Sequence, residues 1–234
     1  MTKRIWELDA LRGFCVIGMV LVHLLYDLIS IGVFPGSAIF DFIQNWGGTA
    51  FLLISGICVT LGRRHIRRGL TVLGCGILCS AVTVGMYLLG LSEKSMIIYF
   101  GVLHCLGSCM LLWQFFSPLP GWAVAAIGAA LTAVGFGIDG MTVSFPWLMP
   151  LGIPYPGFAT SDYFPLLPNL GFFLLGAAAG KVLYREKSTR FPRVDPHNAV
   201  IRYLCFCGKG SLWIYLLHQP LFAAILWIVE RFTR

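Results

Sequence analysis

The sequence predicts an all-α fold, a polytopic transmembrane helix bundle, and three observations carry that prediction. Residues of the apolar set AVILMFWYC make up 58% of the 234-residue chain and charged residues 12%, against about a quarter charged in a soluble globular domain. Mean hydropathy is +0.82. Apolar runs of roughly 20 residues, the length that crosses the hydrocarbon core as a helix, recur along the chain between short breaks. The basic residues gather in those breaks, with Arg63, Arg64, Arg67 and Arg68 in one cluster and Lys181, Arg185, Lys187, Arg190, Arg193 and Arg202 in another. A chain of this length has no room for a soluble catalytic domain once the spans are assigned, so function must lie in the bundle or its loops.

The elements follow in order. Residues 1–10 read as a short amphipathic lead with Trp6 as an interface anchor. Acidic residues before the apolar run, and no small-residue cleavage site, make the N-terminus an uncleaved span rather than a signal peptide. The first span runs from about Leu11 to Phe34 and is broken by Pro35, Gly36 and Ser37. Ala38 to Asn45 is too polar to face lipid throughout and reads as a short interfacial helix. The second span, Trp46 to Leu61, is rich in small residues that allow close packing. A third covers Gly69 to Leu91, and a fourth, Met96 to Phe116, carries His104. Pro118 and Pro120 bracket a turn before a fifth span, Trp122 to Ile138. The long connection from Asp139 to Asp162 holds Pro146, Pro150, Pro154 and Pro156, and loops of this length are often functional. Phe164 to Tyr184 forms a sixth span, and the last begins near Gly208 with His218 and Pro220 in its middle.

Counting Lys and Arg by side places the N-terminus in the cytoplasm and leaves only Lys94, Arg231 and Arg234 outside. The expected topology is about seven spans in a single domain over 1–234. An eighth, short segment around Val200 to Cys207 is left open. The net charge of +7 therefore reflects topology, with coenzyme phosphates or anionic lipid as partners. No aromatic-interleaved basic domain supports nucleic-acid binding. Of the eight cysteines, six lie inside apolar runs and read as small core residues. Cys205 and Cys207 are too close for a zinc-type pair, so no metal is expected.

The chemistry is expected to centre on the first span. His23 and Asp27 stand four apart, on one helix face, at a depth where ionisable groups are costly and usually functional. A general base needs a free lone pair and a fixed tautomer, and Asp27 or a neighbour would supply the latter. The alternative is that the pair pins helix packing or lines a proton path. His104 and His218 lie inside other spans. At 1.5 Å per residue, His23 is about 16 Å from Arg12 and His218 about 13 Å from Lys209, while His104 is about 12 Å below Met96. The three histidines could converge near mid-bilayer. Arg12 and Gly13 at the start of the first span, with Arg63 and Arg64 at the end of the second, suit an anion site, although snorkelling explains such cations equally well. Asp162 and Tyr163, before the sixth span, either bind an acceptor or cap that span.

The stretches ELDALRGFCVIGMVLVH, AFLLISGI, FGVLHCLG, DYFPLLPNLGFFLLGAAAGK and SLWIYLLHQP together resemble the heparan-alpha-glucosaminide N-acetyltransferase catalytic-domain family, within the broader transmembrane acyltransferase group. The resemblance implies acetyl transfer from cytosolic acetyl-CoA to a sugar or cell-envelope glycan acceptor across a bacterial cytoplasmic membrane. It assigns Arg12 to the coenzyme and makes His23 the catalytic histidine. His104 or His218 would then steady the carbonyl oxygen, and Arg63 and Arg64 would meet the coenzyme phosphates. In the lysosomal branch an amide stands at the position of His23 and the active histidine follows in the next segment; here no residue from Leu24 to Arg64 is histidine. Two other classes compete: a proton-coupled small-molecule transporter using the histidines and Asp27 as a relay, and an assembly protein in which they fix helix contacts. Missing internal repeats count against the transporter. Homo-oligomerisation is left open.

Overall fold

The computed structural model describes residues 5–233. Lys3, Arg4 and Arg234, part of the charge count that sets the expected topology, lie outside them. The chain is 72% helix with no strand among the described residues. Among the described residues eight α-helices follow in order: α1 Trp6–Ser30, α2 Ala38–Leu61, α3 His65–Leu88, α4 Val102–Phe116, α5 Gly121–Gly137, α6 Leu166–Leu183, α7 Ala199–Lys209 and α8 Ser211–Thr233. Short 3-10 turns occupy Lys94–Met96 and Pro146–Leu151. Four helices, α1, α2, α3 and α6, are long and apolar enough to cross a membrane. The bent pair of α7 and α8 makes five if it counts as one span. Helices α4 and α5 are apolar but shorter, with 15 and 17 residues.

Several helix ends differ from the sequence expectation, each for a local reason. The lead and the first span are one helix, because Glu7 and Asp9 fall in the first turn of α1, where negative charge favours the helix start. That helix stops before the Pro-Gly-Ser break. Gly32 adopts φ +77°, and Gly32 and Val33 donate backward to the carbonyls of Ile29 and Leu28, both at 2.9 Å, which closes the last turn. The expected interfacial helix likewise merges with the second span. Ser37 provides the start, its hydroxyl accepting the Phe40 N–H at 3.2 Å.

The fourth helix begins six residues later than expected, at Val102. The backbone before it is diverted into a pairing with the segment preceding α6. Phe164 N–H donates to Phe100 O at 2.9 Å, Thr160 Oγ1 to Ile97 O at 2.7 Å and Ser161 Oγ to Met96 O at 2.9 Å. At the other end of the chain, the segment around Val200 to Cys207 is a helix in its own right, α7, and it meets α8 at 80°. Pro220 lies within α8 and does not end it.

The helices fall into two compact units, residues 1–51 with 187–234 and residues 52–186, with the boundary inside α2. In the first unit α1 packs on α7 and α8. The α1–α7 crossing is backbone-close: a Cβ on Gly13 would overlap the Leu204 carbonyl, and one on Gly208 the Asp9 carbonyl. Small residues of this kind drive helix association in lipid, where no hydrophobic effect separates helix from solvent.

In the second unit α3 packs on α4, and α5 on α6. Its core is Phe173 and Leu174 of α6 with Leu52, Val124, Cys105 and Cys109, all fully buried. Buried Cys105 and Cys109 are free thiols, in keeping with small core residues. Lys181, expected among the loop cations, folds instead onto the end of α4. Its ammonium donates to Ser117 O at 2.8 Å and to Leu119 O, and it lies 5.4 Å from the Trp113 ring centroid. It thereby satisfies carbonyls at a helix end that lack intrahelical partners.

Candidate active site

The α1–α8 contact in the first unit brings together two of the three histidines expected inside spans. His23 Nδ1 and His218 Nε2 are 3.1 Å apart, and the ring centroids are separated by 4.9 Å. His218 is 6% exposed. Its second nitrogen, Nδ1, lies 2.6 Å from the Tyr215 carbonyl one turn earlier on α8, and Phe222 packs edge-on against its ring. His23 Nδ1 also faces Met19 Sδ at 3.1 Å. Among the described residues no hydrogen bond engages His23 Nε2.

Asp27 is one turn beyond His23, yet no hydrogen bond joins the two among the described residues. Its electrostatic interaction is with His218. The ring nitrogen of His23 that Asp27 or a neighbour was expected to hold is met instead by His218 from across the helix pair. A histidine nitrogen in hydrogen-bond contact on one side and bare on the other can take or give a proton, or attack a carbonyl.

At the other end of α1, Arg12 is half-buried. Its Nη2 donates to Ser211 Oγ at 3.4 Å, while its Nε is buried without a partner. Ser211 is the first residue of α8, so the guanidinium sits where that helix presents unpaired N–H groups. Gly13 beside it faces the α7 backbone rather than open space. Glu7, 4% exposed, accepts Thr189 Oγ1 at 2.9 Å and Arg190 N at 2.8 Å. That pins the basic loop after α6 to the first turn of α1.

The second unit holds the remaining predicted residues. His104, expected deep in a span, is in the first turn of α4, because that helix starts late. Gly101 N–H donates to its Nδ1 at 3.3 Å, which leaves the Nε2 proton for Ser80 Oγ at 3.3 Å. Ser80 in turn donates to Ile98 O at 2.6 Å. Asp162 Oδ2 accepts Val102 N–H at 3.1 Å, so it starts α4 rather than the helix that follows it in sequence. Gly101 is required there, since a Cβ would overlap that carboxylate. Tyr163 donates its hydroxyl to Met149 O at 2.7 Å, and burial pushes its phenol up to about 12. Arg63 and Arg64 are exposed at the α2–α3 junction.

Three participants carry little sequence signal. Met19 is legible only as the residue four before His23, on the same face. Ser211 and Ser80 are each brought to their partners, Arg12 and His104, by tertiary contact, and no local spacing announces them.

A family model described as "Heparan-alpha-glucosaminide N-acetyltransferase, catalytic" matches residues 4–220. The chain belongs to that family, which implies a transferase-type enzyme and suggests a membrane acetyltransferase. Comparison with curated proteins and with solved structures gives no match.

Proposed function

We propose that the protein is a membrane-embedded acetyltransferase that takes acetyl from cytosolic acetyl-CoA and delivers it to a sugar or amino-sugar acceptor on the far side of a bacterial cytoplasmic membrane. The observation that carries the reading is the unengaged Nε2 of His23 beside a buried second imidazole, in a chain of this family. His23 Nε2 takes the proton from the acceptor amine or hydroxyl as that atom attacks the thioester carbonyl. The C–S bond breaks, and the leaving thiolate recovers the proton. In the other route Nε2 attacks the carbonyl itself, the C–S bond breaks and CoA leaves as the thiolate; the acceptor then attacks the acetyl-imidazole, the N–acetyl bond breaks, and the acceptor's proton passes to the thiolate.

Arg12, with its unpartnered Nε at the start of α8, serves as the donor's anion contact. Asp162 and Tyr163, both engaged in loop hydrogen bonds, shape the acceptor side rather than contribute free groups. Its closed hydrogen bonds support a fold-holding role for His104. In this topology α1 to α6 and the bent α7–α8 pair make seven crossings with the N-terminus cytoplasmic. The 15 residues of α4 span about 22 Å, and the extended backbone before it supplies the remaining depth.

The test is reconstitution into proteoliposomes with labelled acetyl-CoA on one face and an amino sugar on the other. Acetylated sugar on the acceptor face supports the reading. Neither transfer nor thioester hydrolysis, together with solute flux in the absence of any acetyl donor, would favour the proton-coupled transporter, for which a His–His–Asp arrangement is also suited.

A further inference from the structure

We infer that His218 is a positioning residue for His23: it fixes the tautomer that leaves the His23 Nε2 lone pair free. This deepens the acetyltransferase reading and rests on it. The assignment follows from which atoms can only accept. A backbone carbonyl has no proton to give, so the 2.6 Å contact with Tyr215 O requires the proton on His218 Nδ1. A neutral His218 then presents a lone pair at Nε2, toward His23 Nδ1 at 3.1 Å. That lone pair and the Met19 thioether, which also lacks a proton, both require a hydrogen on His23 Nδ1. Two acceptors from two helices thus specify one tautomer, and in it Nε2 of His23 is bare.

The consequence is directional. With its proton on Nε2, His23 would present a donor where the reaction needs a base. When Nε2 takes a proton, the Nδ1–H bond to His218 becomes a charge-assisted one, which strengthens it at the moment the charge forms. The groups facing the pair are Asp27 and Met19 from α1 and Tyr215 from α8. His218 touches neither donor nor acceptor in this scheme. It acts on the reaction only through His23.

The experiment uses full-length protein with 15N-labelled histidine, whose imidazole nitrogen shifts report each tautomer directly, alongside steady-state acetyl transfer. His218→Phe keeps a flat ring but removes the acceptor. It should move His23 toward the Nε2–H form and lower kcat about 100-fold, with KM for acetyl-CoA within about twofold. His218→Gln retains a side-chain oxygen and should restore the Nδ1–H form and about tenfold of that loss. The rescue separates positioning from mere folding, and thermal unfolding of both variants identifies any that fails to fold. An unchanged His23 tautomer and unchanged kcat in His218→Phe, with His23→Ala inactive, would overturn the inference while leaving the acetyltransferase reading in place. Wild-type transfer by His23→Ala would overturn both.

Discussion

His104 and His218 are equally buried, 7% and 6% exposed, and they meet the cost of a polar ring in an apolar bundle in opposite ways. Around His104 the hydrogen bonds close. Gly101 N–H feeds Nδ1, Nε2 feeds Ser80, and Ser80 ends on the Ile98 carbonyl. Around His218 they lead outward, from the Tyr215 carbonyl through both imidazoles to an Nε2 on His23 that no described residue engages. Burial is the same for both residues, so it cannot separate structure from chemistry. What separates them is whether the chain of bonds has a free end.

That contrast can be broken from either side. The largest expected effect on stability is in the closed network: His104→Ala strands Ser80 and the Gly101 N–H and should cost about 1–3 kcal/mol. It should appear as a lower Tm with kcat per folded molecule retained. Loss of transfer in a well-folded His104→Ala would erase the distinction between the two sites. A smaller effect is expected at the donor end of α1. Arg12→Ala should raise KM for acetyl-CoA about tenfold, about 1.4 kcal/mol, with kcat little changed. An unaltered KM would return Arg12 to a packing role with Ser211.

The smallest effect concerns Tyr163. Its phenol, pushed up to about 12 from an ordinary value of about 10, holds its proton more tightly in the folded state. Its contribution to stability is therefore intact below pH about 10 and is lost as the pH rises toward 12. Wild-type Tm should fall more steeply over that window than that of Tyr163→Phe. Parallel curves would mean that the bond to Met149 does not hold the loop.

Much of this was legible in the sequence because it is periodic or compositional. Apolar runs mark α1, α2, α3 and α6, and the histidines inside spans stand out against their surroundings. The helix ends were less legible, since they depend on bonds the local sequence does not display. Gly32 closes α1 before the proline, and Ser37 joins an expected interfacial helix to the second span. The late start of α4 is set by Asp162, 60 residues away. The site was half-legible for the same reason. Residues His23 and Asp27 share a face by spacing alone, which suggested a direct pair. The partner of His23 is His218, 195 residues away, and only the packing of α8 on α1 supplies it. Lys181 shows the same limit: the sequence marks it as a cation after a span, and only the fold shows its ammonium on the carbonyls after α4.

The measurement that bears most directly on the central claim is acetyl transfer by His23→Ala, reconstituted beside wild type and His104→Ala at equal folded concentration. The free-ended site predicts that His23→Ala loses at least about 100-fold in kcat, while His104→Ala keeps its activity per folded molecule. A His23→Ala enzyme that transfers acetyl at the wild-type rate would contradict it.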